Sequence, residues 1–144
     1  DDVAEMIELW GGEFCLKGVM SQEDAIKAKE LGATGIVVSN HGGRQLDGSR
    51  APFDQLQEIV DAVGDDIDVI MDSGIQRGSH VLKALAAGAK AVGGGRFYLY
   101  ALAAAGQAGV ERALEIMRTE IERNMRLMGV SKISELNRNH LRYR

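Results

Sequence analysis

Four short apolar segments alternate with helix-like patterns along the chain, and this alternation limits the fold more than any other feature. The segments are residues 14–19, 35–39, 68–71 and 91–94, each bounded by glycine or polar residues. Continuous apolar runs of this length are typical of parallel strands that are buried on both faces. Strands that alternate with helices predict a parallel sheet, in either a doubly wound or a barrel arrangement.

The helical patterns between these segments have recognisable ends. Ser21 has the side chain of a helix N-cap, and the helix that follows it is predicted to end before Gly32. The next helix is predicted to begin near Pro52 and to stop at Gly64, and another ends at Gly88. A weak repeat supports stacked units, because Lys-Ala at 27–28 and at 83–84 is followed in both copies by Gly-Ala and a strand.

The last helix is predicted to be the longest. Arg118, Glu122 and Arg126 are spaced as two i,i+4 ion pairs on its wetter face. Its core-facing stripe is predicted to comprise Val110, Leu114, Met117, Ile121, Met125 and Met128.

Charge and cysteine content exclude some classes of function. The 144 residues carry a formal net charge of -4, which does not favour nucleic acid as a partner. Only residues 138–144 are locally basic, and we interpret them as a solvated tail, with a lipid or partner contact as the alternative. Cys15 is the one cysteine, so the chain cannot form an internal disulfide, which fits a reducing, cytoplasmic location. We predict that Cys15 is a small core residue.

Polar side chains follow all four predicted strands. They are Lys17, the run at 39–41, Asp72 and Arg96. In a (β/α) barrel the carboxyl ends of the strands form the active-site face, because every βα loop opens onto it. Charged and imidazole groups on four separate strands therefore predict an enzyme, without naming its reaction.

The segment SNHGGRQLDG at 39–48 is the most informative of these. Its adjacent glycines allow a sharp turn, His41 can act as an acid or base, and the planar guanidinium of Arg44 suits a carboxylate. A base and a carboxylate clamp on one loop suit proton removal beside a carboxylate. A capping histidine and a surface arginine remain the alternative.

A second polar cluster predicts a phosphate site. Residues 72–78 and 93–96 are glycine-rich, and the loops after the last two strands of a barrel commonly bind phosphate. Arg77 and Arg96 can neutralise an anion, whereas Asp72 suits hydroxyl groups. Glycines that serve only tight strand packing are the alternative.

Lys17 can stabilise a cofactor's negative charge, form a Schiff base, or merely reach solvent. The chain has no cysteine pair or histidine cluster at ligand spacing, so we expect no metal.

These motifs resemble the FMN-dependent 2-hydroxy-acid dehydrogenases and oxidases, the family of glycolate oxidase, L-lactate dehydrogenase and mandelate dehydrogenase. The likeness runs from FCLKGV at 14–19 through SNHGGRQLDG, MDSGIQRG and GGGR to the last helix. It implies the C-terminal half of a TIM (β/α)8 barrel over residues 1–144, with FMN as the cofactor.

The resemblance also implies a role for each matching residue. His41 would be the catalytic base and Arg44 the clamp on the substrate carboxylate. Lys17 would stabilise the reduced flavin. The remaining cofactor contacts implied are Ser39 to the flavin, Asp72 to the ribityl hydroxyls, and Gly74, Gly95 and Arg96 to the phosphate.

Two departures from the family pattern matter. The family commonly has a phosphate-binding arginine at the position of Gln76, so either Arg96 carries most of the charge or Arg77 substitutes. The chain also supplies four of the eight βα units and opens inside a helical pattern without methionine, which predicts a piece of a longer barrel whose N-terminal half is absent.

The expected reaction is oxidation of a small L-2-hydroxy acid to the 2-oxo acid. Two alternatives stay open: another phosphate-binding barrel of the Schiff-base aldolase type, or a non-catalytic half-barrel that pairs with a second half. Because open strand edges need cover, we expect association with the N-terminal half of the barrel and a homo-oligomer. The resemblance also implies that some family members are peripheral at the bacterial inner membrane, through a segment that would fall outside this chain.

Overall fold

The predicted strands form one parallel sheet that helices cover on one side. The structure, a computed structural model, describes residues 2–142. Its strands are β1 (Cys15–Val19), β2 (Gly35–Val38), β3 (Asp68–Met71) and β4 (Ala91–Val92). Its α-helices are α1 (Asp2–Trp10), α2 (Gln22–Glu30), α3 (Pro52–Val63), α4 (Gly78–Ala86) and α5 (Gly95–Met128).

The sheet order is β1-β2-β3-β4, the arrangement of consecutive βα units in a barrel wall. One layer across it pairs Lys17 with Val37, Val37 with Ile70 and Ile70 with Ala91. The register shifts after Lys17, where Gly18 forms a bulge with a φ of 100°. This bulge changes the direction of β1 just where the strand reaches the functional face.

The two predicted Gly-Ala helix ends have the same geometry. After α2, the Ala33 amide donates to the carbonyl of Ala28 at 3.0 Å, and after α4 the Ala89 amide donates to that of Ala84, also at 3.0 Å. The intervening Gly32 has a φ of 97° and its counterpart Gly88 one of 111°, a left-handed conformation that favours glycine. The internal repeat in the sequence is therefore a repeated helix stop that returns the chain to the sheet.

The core lies between the sheet and the helices. Ile36 and Val38 on β2 and Leu56 and Ile59 on α3 have no exposed surface. The opposite face of the sheet, which is the inner face of a barrel wall, is only half-covered at Val37 and Ile70. The helices thus pack on one side of the sheet alone.

Cys15 corrects one expectation from the sequence. We predicted a small core residue, but Cys15 is exposed. It pairs with Gly35 at the start of an edge strand, on the same face as Lys17. A run of apolar residues does not distinguish the two faces of a strand, and no helix within residues 2–142 packs against this face.

The last helix also differs from the prediction. It begins at Gly95, and non-helical backbone at Ala105 and Gly106 divides it. Two members of the predicted stripe are exposed, Leu114 by 55% and Met128 by 41%. Glu120, which the stripe omitted, is buried instead. The predicted surface pairs are present: Arg118 and Arg126 both contact Glu122, at 3.2 and 3.5 Å.

The basic tail is only partly solvated. Arg138 forms an ion pair with Asp61 on α3, with 2.5 Å between Nη2 and Oδ1, and Leu141 packs against the core. Tyr143 and Arg144 lie outside the described residues. Within residues 2–142, no helix has the length and apolar character needed to cross a bilayer.

Candidate active site

A cleft of about 360 Å³ lies at the carboxyl ends of the strands and brings together most of the predicted site residues. Its lining comprises Lys17, His41, Arg44, Asp72, Gly74, Gln76, Gly95 and Arg96, together with Gly42, Gln45, Ser73, Ile75, Phe97 and Leu99. Strand β1 itself, the loops after β2 and β3, and the start of α5 after β4 contribute to this lining, because parallel strands deliver their carboxyl ends to one face.

A network of polar side chains forms the floor of the cleft. The Lys17 ammonium lies 2.9 Å from Asp72 Oδ2 and donates to Ser39 Oγ at 3.0 Å. Ser73 Oγ donates to Asp72 Oδ1 at 3.0 Å. Burial of the Asp72 carboxyl opposes ionisation, but hydrogen bonds from Ser39, Lys17 and Ser73 outweigh it and lower the pKa of Asp72 below its usual value. Asp72 is therefore an anion at neutral pH and can accept hydrogen bonds.

Ser39 is buried beside the cleft and contacts two of its lining residues. Its side chain is buried, and besides the bond from Lys17 its oxygen accepts a hydrogen bond from the His41 amide at 3.2 Å. Ser39 is not among the lining residues. Its direct contact with a flavin stays a prediction, whereas its contacts with two lining residues are part of the structure.

The loop after β2 projects His41 into the cleft from a constrained turn. Its backbone has a φ of 56°, which is uncommon for a residue other than glycine. The amide of the next residue, Gly42, donates to Asn40 Oδ1 at 3.0 Å and to Ser73 Oγ at 3.1 Å. These bonds hold the turn in place between two strands.

Gly18 leaves space for the imidazole of His41. A Cβ atom at position 18 would lie 2.7 Å from His41 Cε1, which is closer than van der Waals contact allows. The bulge in β1 therefore needs glycine both for its positive φ and for the position of the histidine ring. Arg44, three residues along the same loop, is exposed and lines the cleft.

The other end of the cleft has the character of an anion site. Gly74 and Gly95 have no heavy atom within 4 Å of the position where a Cβ would stand, so a ligand can approach their backbone. Arg96 lies at the start of α5, whose N-terminal amides favour negative charge. The Arg96 guanidinium donates to the Gly42 carbonyl at 2.7 Å, which joins the two ends of the cleft.

Arg77 lies outside this cleft. Its guanidinium is bound to the buried Glu120, with 2.8 Å from Nε and 2.5 Å from Nη2 to Oε1. Glu120 Oε2 also accepts from the Gly78 amide at 2.8 Å and so caps α4. Hydrogen bonds from Arg77 and Gly78 lower the pKa of Glu120 to about 2. The geometry does not favour Arg77 as a phosphate ligand, and Gln76, the adjacent residue, lines the cleft instead.

Sequence reasoning missed Glu120 as an important residue. Its position three residues after Met117 and one before Ile121 does place it on the inward side of α5. This spacing indicates an inward side chain, whereas the predicted stripe comprises apolar residues alone. Across residues 2–142 there is no cluster of three or more His, Cys, Asp and Glu side chains suited to a metal ion.

The sequence matches the FMN-dependent dehydrogenase family over residues 1–143. The chain is 49% identical over 140 residues to the L-lactate dehydrogenase (cytochrome) of Saccharomyces cerevisiae, covering 94% of this chain and 24% of the relative. It is 48% identical over 127 residues to a peroxisomal (S)-2-hydroxyacid oxidase of Arabidopsis thaliana, covering 88% and 35%. It is also 48% identical over 136 residues to the pre-mycofactocin synthase of Mycobacterium tuberculosis, covering 94% and 34%.

Solved structures have the same fold. A soluble mutant of the membrane-associated (S)-mandelate dehydrogenase from Pseudomonas putida superposes with a TM-score of 0.95 at 39% identity, covering 99% of this chain and 40% of that one. The flavin-binding domain of baker's yeast flavocytochrome b2 gives 0.92 at 48% identity, covering 96% and 36%. The chain thus spans between about a quarter and two fifths of these relatives, and it folds as part of a TIM barrel.

The residues of the cleft fit FMN. The open backbone at Gly74 and Gly95, beside Arg96, can take its phosphate, and the Asp72 carboxylate can accept hydrogen bonds from its ribityl hydroxyls. The Lys17 ammonium contacts Asp72 at that end of the cleft and also donates to Ser39, which accepts a hydrogen bond from the His41 amide. On the strength of the sequence match, the superpositions and this fit, the chain belongs to the FMN-dependent dehydrogenase family.

Proposed function

We propose that the complete protein oxidises a small L-2-hydroxy acid of the lactate, glycolate or mandelate type to the 2-oxo acid. The observation that carries this proposal is the presence of His41, Arg44 and Lys17 in one cleft with the anion site at Gly95 and Arg96. A base, a carboxylate clamp and a cofactor site are the three parts that the reaction needs.

Each side chain has a distinct task in this proposal. FMN, when bound, accepts the two electrons of the oxidation. Arg44 holds the substrate carboxylate through two parallel hydrogen bonds, which orients the hydroxyl-bearing carbon. An imidazole nitrogen of His41 takes a proton from the substrate. The Lys17 ammonium stabilises negative charge on the reduced cofactor, and the Asp72 carboxylate keeps that ammonium in position.

The ion pair of Lys17 also weighs against the aldolase alternative. A lysine that forms a Schiff base must lose its proton, usually in an apolar pocket or beside another cation. Here the amine lies neither in an apolar pocket nor beside another cation, but 2.9 Å from the Asp72 carboxylate. The similarity to a protein named pre-mycofactocin synthase means that sequence identity by itself does not select the substrate, so the assay has to compare several hydroxy acids.

We propose that residues 1–144 form the C-terminal half of one FMN-binding barrel and act only with the N-terminal half. The half-covered Val37 and Ile70 and the exposed Cys15 lie on the face that a closed barrel would bury. The isolated 144 residues are expected to bind flavin weakly and not to turn over. We further propose a homo-oligomer located in the cytoplasm, with peripheral membrane contact as the variant suggested by the relative described as membrane-associated.

The test uses His41→Gln in the complete native chain. Anaerobic reduction of bound flavin is followed at its absorbance bands after addition of lactate, glycolate or mandelate. Loss of a general base slows such a step by about 10²- to 10⁴-fold. His140→Gln, in the exposed tail, is the matched control and is expected to react at the normal rate. A His41→Gln protein that still reduces at close to the normal rate would contradict the assignment.

The half-barrel proposal has its own test. Flavin is titrated into residues 1–144 alone and into the same fragment mixed with the N-terminal half, and each sample is then reduced with the same hydroxy acids. Tight binding and turnover are expected only for the mixture. Efficient reduction by the verified monomeric fragment would show that essential chemistry had been assigned to the wrong half.

A further inference from the structure

The turn between β3 and α4 forms one wall of the anion site, to which it contributes Gly74. Ser73 and Gly74 both have a left-handed backbone, with φ of 68° and 81°. Gly74, Ile75 and Gln76 line the cleft, and the Gly74 backbone is open to a ligand. The direction of the amides in this turn therefore affects what the cleft can bind.

The turn does not provide a free cation of its own. Gln76 is neutral, and Arg77 is held by the buried Glu120. An anion beside this turn therefore depends on backbone N–H groups from the turn and on Arg96 across the cleft. The backbone of the turn must then be held in a defined conformation, since an amide gives a strong hydrogen bond only when it points at the acceptor.

His80, in the first turn of α4, contacts this backbone at two points. Its Nδ1 lies 3.1 Å from the Gly74 carbonyl oxygen and 3.3 Å from the Gln76 amide nitrogen. One ring nitrogen either carries a proton or offers a lone pair, so it cannot serve both groups at once. The Gln76 N–H points at Nδ1, so Nδ1 accepts this hydrogen bond when it carries no proton. A proton on Nδ1 would instead make a bond to the Gly74 carbonyl.

We propose that His80 is a positioning residue for the FMN phosphate: by accepting a hydrogen bond from the Gln76 amide through Nδ1, it holds the turn in the conformation that presents the open Gly74 backbone to the phosphate. This inference rests on the proposed use of FMN. His80 does not line the cleft, so it acts on the cofactor through Gly74 and Gln76. The effect is specific to the phosphate, because riboflavin has the same ring and ribityl chain but no phosphate group to contact this turn.

The experiment compares FMN and riboflavin binding by the apoprotein of the complete native chain, by quenching of flavin fluorescence. His80→Phe keeps a ring of similar size but removes the nitrogen, and His80→Asn restores a polar group near the position of Nδ1. We expect His80→Phe to bind FMN about tenfold more weakly, equivalent to about 1.4 kcal/mol, with riboflavin affinity unchanged. His80→Asn is expected to return FMN affinity to within about threefold of the native value.

Ser79→Ala, at the neighbouring position on α4, is the matched control and is expected to leave both affinities unchanged. If His80→Phe does not fold, as judged by its thermal unfolding, His80→Ala provides the same loss of the nitrogen. An equal change in FMN and riboflavin affinity, no change in either, or no recovery in His80→Asn would overturn the positioning role. A native protein that does not prefer FMN to riboflavin would instead refute the proposed cofactor site itself.

Discussion

Substitution of Gly18 by alanine should separate the stability of the fold from the placement of His41, the proposed catalytic base. The new Cβ would stand 2.7 Å from His41 Cε1, whereas an ordinary contact is at least about 3.4 Å, so the ring must move by roughly 0.7 Å. A misplacement of about 1 Å at a reacting group can reduce the rate about 10²-fold. We therefore expect flavin reduction by a hydroxy acid to slow by about 10- to 100-fold.

The backbone of Gly18 adds a second effect that must be measured separately. Alanine in a left-handed conformation costs roughly 1–2 kcal/mol of folding free energy. Gly32→Ala is the matched control, because Gly32 has a φ of 97° against 100° for Gly18, and its new Cβ would meet only Ile7 at 3.6 Å. Both variants should lose similar stability in urea unfolding, whereas only Gly18→Ala should lose activity.

The assay is stopped-flow reduction of the flavin in the complete native chain, with the FMN content of each variant measured first. Normal rates in a folded, FMN-loaded Gly18→Ala protein would refute the reasoning, because the ring would then have a way to avoid the added methyl group. Equal losses of activity in Gly18→Ala and Gly32→Ala would assign the effect to general destabilisation instead.

Three further predictions concern the anion site, the α4 cap and the core. Arg96→Ala should weaken FMN binding by about 10- to 100-fold, which is the effect of losing one hydrogen bond to a charged group, while riboflavin binding changes little. An equal loss of affinity for both flavins would contradict a contact between Arg96 and the phosphate. The Arg77 and Gly78 hydrogen bonds lower the pKa of Glu120 from 4.5 to about 2, so the stability that the Glu120 carboxylate adds is complete above about pH 4.5 and is lost as the pH falls toward 2. Glu120→Gln should therefore reduce the acid-dependent loss of stability measured in urea titrations. An unchanged pH profile of stability would count against the cap. Leu56→Ala, at a fully buried site, should lower the free energy of unfolding by about 2–5 kcal/mol. Leu114→Ala, at an exposed site, should lower it by less than about 0.5 kcal/mol. Similar losses for the two variants would contradict the assigned core.

Local signals in the sequence predicted most of the fold. The four strands lie within the predicted segments, although β4 is limited to Ala91–Val92. Ser21 accepts a hydrogen bond from the Asp24 amide at 3.1 Å, and Gly64 ends α3, both as predicted. Caps and strand alternation depend on residues a few positions apart, so the sequence carries this information directly. The motif at 39–48 likewise predicted the family, because its residues lie together in one loop of the sequence.

The tertiary structure decided which of the predicted groups reach the cleft. The sequence offered Arg77 as a cation for the phosphate, but Glu120, 43 residues away, binds its guanidinium. The position of His41 depends on Gly18 in another strand, and the exposure of Cys15 depends on which face of β1 the helices cover. Such contacts follow from strand register and helix packing over long separations, and no local pattern of residues encodes them. By itself the sequence determined the elements and the chemistry of the groups, whereas packing between distant elements determined where each group points.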